Sequence, residues 1–300
     1  MSDESIRLLS VSAVPYSYRV LRQPDRVTEP VMILGGALQG MHGWPAMEDH
    51  LGPVADVVTA DLPGMGSAGP LPPGPVVALL CKAVEGIIDD LGVPQINLFG
   101  YSFGATLAFA CAQRFPRRIA RIALGGVPAE LSAELLAECH QAIRCLENGD
   151  FESFATMAAK ALMCLDEERH VARRRLAYRY VRRSLLHSAQ RSPHAAADSL
   201  RRALSEHPDF TGGLTGVRTL IFSGEHDTVT SAARHRDFAA TVPGSRVVTI
   251  PDSDHWVILE RAEDVADLVT RFFTDAPLKS APCLVPVARE ELSVAGPAYV

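Results

Sequence analysis

Short, mostly apolar runs that end at glycine constrain the fold of this chain more than any other feature. They are VMILGG at 31–36, QINLFG at 95–100 and RIARIALGG at 118–126. A strand with apolar residues on both faces belongs inside a parallel sheet that helices cover on both sides. Segments of helical periodicity at 76–91 and 106–115 separate the runs. The alternation predicts an α/β fold with a mostly parallel central sheet flanked by helices.

The periodicity also predicts how the chain is divided. Residues 6–22 are expected to form two opening strands joined by a turn, as an antiparallel edge of the sheet. Between 128 and 213 the strand signal stops and alanine, arginine, leucine and glutamate recur at helical spacing, which predicts an inserted helical cap, or lid. The core is then 1–127 together with 214–276. Residues 277–300 contain several prolines and are expected to form an extended tail.

Composition excludes several classes of protein. The chain has 300 residues, of which 47% are hydrophobic, enough for a large core. Its net charge of −6 gives no positive field for nucleic acid, so no nucleic-acid partner is expected. No apolar run is long enough to cross a membrane, and the first residues do not resemble a secretory signal, so a cytoplasmic location is expected. The six cysteines form no CxxC pair, and neither a metal nor a cofactor is expected.

Gly100-Tyr101-Ser102-Phe103-Gly104 carries the clearest chemical signal in the sequence. It fits the pattern G-x-S-x-G and lies between a predicted strand and a predicted helix, which is the context that this motif requires. A serine at such a turn is pushed out of the sheet, and the start of the following helix favours negative charge. We predict that Ser102 is a nucleophile.

A serine hydroxyl needs a base to take its proton, and the base needs an acceptor that holds its tautomer. His255 follows the last predicted strand, where its loop would reach the sheet edge that carries Ser102. Asp227 closes the strand before it, and the order Ser102, Asp227, His255 is the one expected of this architecture. Asp252 and Asp254 are alternative carboxylates, although their closeness to His255 favours a role in the turn.

Acyl transfer also needs two amide donors for the oxyanion. One is expected from Phe103, which follows the nucleophile. The second should come from the loop after the strand at 31–36, with Ala37 favoured and Leu38 as the alternative.

Three segments together resemble the α/β-hydrolase superfamily: GYSFG, DLPGMGSAG at 61–69, and GEHD followed by DSDHW. The resemblance covers roughly 25–275 apart from the predicted cap. Gly35 stands where that family usually has a histidine. The resemblance implies substrate contacts that we assign to four residues: Leu38, Trp44, Tyr101 and Trp256. Trp44 matches an aromatic position common in that family segment, and its alternative role is to pack in the core.

The resemblance also implies a function. Serine at residue 102 argues against the epoxide hydrolase and haloalkane dehalogenase branches, which use aspartate there. We expect a hydrolase that cleaves a small or medium ester or thioester through an acyl-serine. The alternatives are a carbon-carbon bond hydrolase, a biosynthetic acyltransferase or cyclase, and a ligand-binding protein without catalysis. The sequence carries no signal of the oligomeric state.

The predicted cap contains a cationic stretch, DEERHVARRRLAYRYVRR, at 166–183. It is interpreted as a solvated helix face with intrahelical ion pairs, in which Arg173, Arg174 and Arg175 face solvent. The alternative is a docking face for an acidic carrier protein that bears a thioester.

Overall fold

The computed structural model describes residues 3–37, 39–69, 71, 74, 76–205 and 208–281. Eight strands lie in the described part of the chain: β1 (Asp3–Val11), β2 (Val14–Arg22), β3 (Val31–Leu34), β4 (Val57–Asp61), β5 (Ile96–Tyr101), β6 (Ile119–Gly125), β7 (Arg218–Gly224) and β8 (Arg246–Ile250). They form one sheet in the order β1-β2-β4-β3-β5-β6-β7-β8. The pairs β1/β2 and β2/β4 are antiparallel, and all the other pairs are parallel. The predicted α/β fold, with its antiparallel opening pair, is confirmed.

Helices cover both faces of the sheet. The α-helices of the described residues are α1 (Pro45–Leu51), α2 (Val77–Leu91), α3 (Phe103–Arg114), α4 (Ala133–Glu147), α5 (Phe151–Ala161), α6 (Arg174–Arg191), α7 (Pro193–Ser205), α8 (Ala232–Ala240), α9 (Val257–Glu260) and α10 (Ala262–Phe273). Helices α2, α3 and α8 bury their apolar sides in one cluster, and α1 and α10 do so in a second cluster. The strands β3 and β5 are buried along their whole length between these two layers. This burial explains why their sequences lack polar alternation.

Four helices, α4 to α7, lie between β6 and β7, within the stretch predicted to be helical. We call residues 128–213 the helical insertion. Its helices have a buried cluster of their own, to which Phe154, Val181 and Leu200 belong. Trp256 and Leu259, which follow the last strand, pack against this cluster. The helical insertion therefore rests on the part of the core that comes after β8.

The start of the predicted tail differs from the expectation. Leu278–Ser280 forms a short 3-10 helix rather than extended chain. Leu278 and Ala281 are buried and join the cluster beneath α1 and α10. Their apolar side chains outweigh the effect of the neighbouring prolines, which is why composition alone misplaced the end of the core. The rest of the predicted tail, 282–300, lies outside the described residues.

The described residues contain no helix that is both long enough and apolar enough to cross a membrane. They also contain no group of three or more histidine, cysteine, aspartate or glutamate residues that could hold a metal ion.

The packing of α3 against the sheet depends on two glycines. A Cβ atom on Gly104 would lie 2.0 Å from the carbonyl oxygen of Leu34 in β3. A Cβ atom on Gly100 would lie 2.5 Å from the carbonyl oxygen of Gly104 and 2.7 Å from the Cβ of Ala108. Real atoms do not approach so closely, so any larger residue would push α3 away from β3 and β5.

We expect Gly104→Ala to lower the free energy of unfolding by about 3 kcal/mol, the upper part of the range for overpacked sites. The backbone oxygen of Leu34 cannot move aside as a flexible side chain could. Gly69→Ala is the matched control, because its Cβ would meet its nearest atom at 3.5 Å. Urea unfolding followed by circular dichroism measures both. Equal stability of the two variants would contradict this account of the α3 packing.

Candidate active site

Ser102 lies at the turn between β5 and α3, with φ of 53° and ψ of −122°. A non-glycine residue with positive φ is strained, and the surrounding structure must hold it there. The amide of Ser102 donates to the carbonyl of Gly125 in β6 at 2.9 Å, and the carbonyl of Ser102 accepts from Ala105 at 2.8 Å. The turn is thus fixed on both sides, and the hydroxyl stands clear of the sheet at the start of a helix.

His255 and Asp227 reach Ser102 from the neighbouring ends of the sheet. The Nε2 of His255 lies 3.1 Å from the Oγ of Ser102, and its Nδ1 lies 3.1 Å from the Oδ2 of Asp227. The structure therefore brings together the three residues that the sequence singled out as nucleophile, base and orienting carboxylate. Both bonds fit a tautomer with the proton on Nδ1, donated to Asp227, and a free Nε2 that can accept from the serine.

Asp227 is held by more than the histidine. Its Oδ1 accepts the amides of Val229 at 2.9 Å and Thr230 at 2.7 Å, and its Oδ2 accepts the hydroxyl of Thr230 at 2.7 Å. Sequence reasoning missed Thr230. The signal was present, since an aspartate followed by threonine three residues later is typical of a turn in which the side chains bind the backbone.

His235 in α8 was also missed and has a different task. Its Nε2 accepts the amide of Val127 at 3.0 Å, and its Nδ1 lies 3.2 Å from the carbonyl of Ser231. Burial, only partly opposed by the charge of Asp227, lowers the pKa of His235. A neutral His235 therefore fixes the point at which the chain leaves β6 for the helical insertion.

Burial and charge oppose each other within the pair of Asp227 and His255, which are only 5% and 3% exposed. Burial alone would raise the pKa of Asp227, but the charge of His255 and its hydrogen bond hold that pKa below its ordinary value. Burial alone would lower the pKa of His255, but the charge and hydrogen bond of Asp227, with a smaller contribution from Asp254, raise it. The imidazole is thereby a stronger base than a buried histidine without a partner.

The two alternative carboxylates do not contact the imidazole. Asp254 accepts the amides of Trp256 at 2.7 Å and Cys164 at 2.8 Å. Asp252 faces His170 at 3.4 Å and Arg261 at 3.7 Å. Of the three candidates, Asp227 is the one that bonds to His255.

The loop after β3 passes beside the nucleophile. A Cβ atom on Gly36 would lie 3.6 Å from the Cβ of Ser102. The loop is fixed by the amide of Gly36, which donates to the Oε1 of Gln39 at 2.6 Å, and by the hydroxyl of Ser199 in α7, which donates to the carbonyl of Ala37. Phe103 is the first residue of α3, where amides have no acceptor within the helix. Ala37 lies in this loop and Phe103 directly follows Ser102, whereas Leu38 lies outside the described residues.

A cavity of about 180 Å³ opens onto Ser102 and His255. Tyr101 and Trp256 line it, in keeping with the substrate contacts predicted for them. The described residues that the helical insertion contributes to its wall are mostly apolar: Pro128, Leu131, Leu135, Leu162, Tyr180, Val181, Ser184, Leu185, Leu200, Ala203 and Leu204.

Trp44 is not among the described residues that line this cavity, which favours the alternative that it packs. Trp44 is 5% exposed and packs edge-on against Phe99, with ring centres 6.1 Å apart. Its indole N–H donates to the carbonyl of Gly40 at 3.3 Å. Because α1 begins at the next residue, the indole fills the space between that helix and the sheet.

Known proteins with the same fold include several hydrolases. The chain is 26% identical over 265 residues to 2-hydroxy-6-oxononadienedioate/2-hydroxy-6-oxononatrienedioate hydrolase 2 of Pseudomonas putida, covering 81% of this chain and 87% of the relative. A thermophilic esterase from Thermogutta terrifontis superposes with a TM-score of 0.74 at 22% identity, over 90% of this chain and 98% of that one. The enol-lactonase of Burkholderia xenovorans superposes with a TM-score of 0.74 at 21% identity, over 89% of this chain and 100% of that one.

The sequence model of one family covers most of the chain. It describes the alpha/beta hydrolase fold and matches residues 29–262, from just before β3 to the start of α10. The matched span includes Ser102, Asp227 and His255. Together with the sheet order and the turn at Ser102, this match means that the chain belongs to the alpha/beta hydrolase fold family.

Proposed function

We propose that this protein is a serine hydrolase that cleaves a small or medium carboxylic ester or thioester through an acyl-serine at Ser102. The observation that carries the proposal is the hydrogen-bonded line from Ser102 through His255 to Asp227, with 3.1 Å at each step, on the floor of an apolar cavity. A serine hydroxyl becomes a useful nucleophile when a base beside it takes its proton.

The chemistry follows from that geometry. Ser102 Oγ attacks the substrate carbonyl while His255 Nε2 takes the hydroxyl proton. Asp227 stabilises the imidazolium that forms, and the amides of Phe103 and Ala37 donate to the oxyanion. Collapse of the tetrahedral intermediate expels the alcohol or thiol, which receives the proton from His255. Water, activated by His255 in the same way, then releases the acid and regenerates Ser102.

The character of the cavity bears on the substrate. Its described lining residues include neither lysine nor arginine, and leucine predominates in the part formed by the helical insertion. Apolar walls with few polar groups favour an uncharged acyl group. At about 180 Å³ the space is of the same order as an engineered cavity of about 150 Å³ that binds benzene, which suits a short or medium chain.

Carbon-carbon bond cleavage is the second candidate, because the relative from Pseudomonas putida is named for such a substrate. That name denotes a dioate, which carries two carboxylates. The described lining residues include no lysine or arginine to pair with two carboxylates, so the wall favours the ester or thioester. Transfer of the acyl group to an alcohol instead of water would use the same residues and would be recognised by its product.

The helical insertion would act as a lid in this proposal. It supplies the roof of the cavity over Ser102, and such insertions commonly gate access by moving on the microsecond to millisecond scale. Substrate selection would then depend on the insertion, and bond cleavage on the core.

We expect Ser102→Ala to abolish labelling by a fluorophosphonate probe and nearly all ester turnover, since the nucleophile is removed. His255→Ala should fall to a similar floor, because the members of such a triad act as one unit. Asp227→Asn should cost on the order of 10⁴-fold where the wrong tautomer is held. Intact-protein mass spectrometry after mixing with an activated ester reads the adduct. An acyl group mapped to another residue would refute the mechanism.

The labelling rate of Ser102 should rise with pH through the ionisation of His255. The base acts only when neutral, and Asp227 raises its pKa, so the midpoint should lie above the ordinary value of about 6.5. Asp227→Asn removes the charge that raises this pKa, and the midpoint should fall. The same midpoint in the wild type and in Asp227→Asn would show that the observed ionisation is not that of His255.

A screen of p-nitrophenyl esters should give a kcat/KM that increases from the acetate to a medium chain and then declines. Leu185→Phe should move the optimum to a shorter chain, because Leu185 is 5% exposed and lines the cavity. Leu176→Phe is the matched control on the same helix, since Leu176 is 56% exposed. Thermal unfolding of both variants tests whether the fold is intact. An identical shift in the two would show that the cavity does not select the chain length.

The arginines of α6 differ in their exposure to solvent. Arg174 is half-buried and donates to the carbonyls of Asp166 and Arg169, so the expectation that it faces solvent is wrong. Arg175, Arg179 and Arg183 are exposed and follow one another every four residues. An acidic carrier protein bearing a thioester would find its cationic contact in this row.

Reversing the charge of Arg175, Arg179 and Arg183 should leave hydrolysis of p-nitrophenyl butyrate within about twofold, because exposed charges contribute little to the fold. If a carrier docks there, hydrolysis of a carrier-bound acyl thioester should drop at least tenfold, while the free thioester is unaffected. Steady-state rates on the three substrates decide. Equal rates on carrier-bound and free thioester would leave the row a solvated helix face.

A further inference from the structure

Two buried carboxyl groups lie next to the candidate base and take no part in the mechanism described so far. Asp254 precedes His255 and is 0% exposed, and Glu260 ends α9 and is 2% exposed. Buried carboxyl groups are costly unless they are paired, bonded or protonated. The contacts of this pair indicate what it does.

Asp254 joins three parts of the molecule. Its Oδ1 accepts the amide of Trp256 at 2.7 Å, which closes a tight turn around His255. Its Oδ2 accepts the amide of Cys164 at 2.8 Å, in the helical insertion just after α5. Its own amide donates to the Oε2 of Glu260 at 2.8 Å. One residue therefore ties the loop of His255 to the insertion through its side chain and to α9 through its backbone amide.

A second set of contacts runs along the same seam. The amide of Ala172 donates to the carbonyl of Asp252 at 2.7 Å, and the Nδ1 of His170 lies 3.4 Å from the Oδ1 of Asp252. The insertion segment 164–172 thus lies along the loop 252–256. A displacement of either segment would therefore displace the other.

The protonation of the pair follows from its surroundings. Burial, and then the charge of Asp254, raise the pKa of Glu260 to about 9. The Oε1 of Glu260 is buried and has no hydrogen-bond partner among the described residues. Such an oxygen is less costly in a protonated carboxyl group than in a carboxylate. Asp254 accepts two amides and is the natural place for the single negative charge. These contacts favour a single negative charge on Asp254 and a proton on Glu260.

The other ionisable groups that face the pair come from three elements. Arg174, at the start of α6, attracts the charge of Glu260. His255 lowers the pKa of Asp254, though burial raises it more. The hydroxyl of Tyr101 in β5 is buried, and burial followed by the charges of Asp227, Asp254 and Glu260 raises its pKa well above the ordinary value. The attraction of Arg174 is smaller than the effects of burial and of Asp254 on the pKa of Glu260.

We propose that the buried pair Asp254–Glu260 is a positioning unit that holds the His255 loop and the helical insertion in one arrangement by sharing a single proton. The inference rests on the proposed function, since it assigns His255 as the base. Loss of the proton would place two carboxylates side by side in the interior. Their repulsion would break the bond from Asp254 to the amide of Cys164, and His255 would leave its place beside Ser102.

The proposal is tested by the rate at which a fluorophosphonate labels Ser102 between pH 6 and 10.5. The wild type should lose rate above pH 9, as Glu260 ionises. Glu260→Gln keeps a neutral hydrogen-bonding group, so its rate should not fall there and should exceed that of Glu260→Ala at least tenfold at pH 7.5. Asp254→Asn should lower the midpoint of the acid limb, because the charge of Asp254 helps to raise the pKa of His255.

The matched control is Glu263→Gln, whose side chain is 70% exposed and pairs with His50 on the surface. It should keep the alkaline fall of the wild type. An alkaline fall in Glu260→Gln that equals that of the wild type would overturn the proposal. No labelling of the wild type at any pH would instead overturn the proposed function, so the two failures are distinguishable.

Hydrogen exchange supplies a readout that needs no activity. The protection factor of the Cys164 amide should drop above pH 9 in the wild type and in Glu263→Gln, and should persist in Glu260→Gln. Such a result would support the shared proton even in a protein that labels slowly. Protection of Cys164 that is independent of pH in the wild type would overturn the proposal.

Discussion

The turn at Ser102 is the constraint on which the rest of the site depends. A residue with φ of 53° has to be held by its neighbours, and here β6 and the first turn of α3 do so. The turn is possible only because α3 approaches β3 and β5 at Gly100 and Gly104 to distances that exclude any Cβ atom. The same approach brings the start of α3 close to the end of β3 and to the loop that follows it. The strained backbone at Ser102 and the two amide donors proposed for the oxyanion both depend on this packing contact.

Around that turn the protein buries three carboxyl groups, and different contacts stabilise each of them. Asp227 remains ionised because a histidine and three hydrogen bonds from Val229 and Thr230 surround it. Asp254 accepts two amides, and Glu260 beside it avoids a charge because its pKa is raised to about 9. The environment of each carboxyl group, rather than its residue type, sets whether it orients a base or binds the backbone.

The sequence was sufficient to place those site residues that directly follow a strand. The apolar runs predicted the parallel order, and that order alone places Ser102, Asp227 and His255 at one sheet edge. Sequence was insufficient where packing between distant segments decides. Trp44 has the same composition of neighbours whether it lines a cavity or fills the space under α1. The bond from Asp254 to Cys164 joins residues 90 positions apart and leaves no local pattern.

In the proposed function, the core would supply the chemistry and the helical insertion the substrate selection. The groups proposed to break bonds come from strand ends and loops of the core, where position is fixed by backbone pairing. The roof of the cavity comes from α4, α6, α7 and the segments beside them, outside the sheet. This separation has a cost, because a roof that is free to vary is also free to shift. The bond between Asp254 and Cys164 answers that difficulty, since it fastens the roof to the loop that carries His255 and so makes the closed cavity and the aligned base a single state.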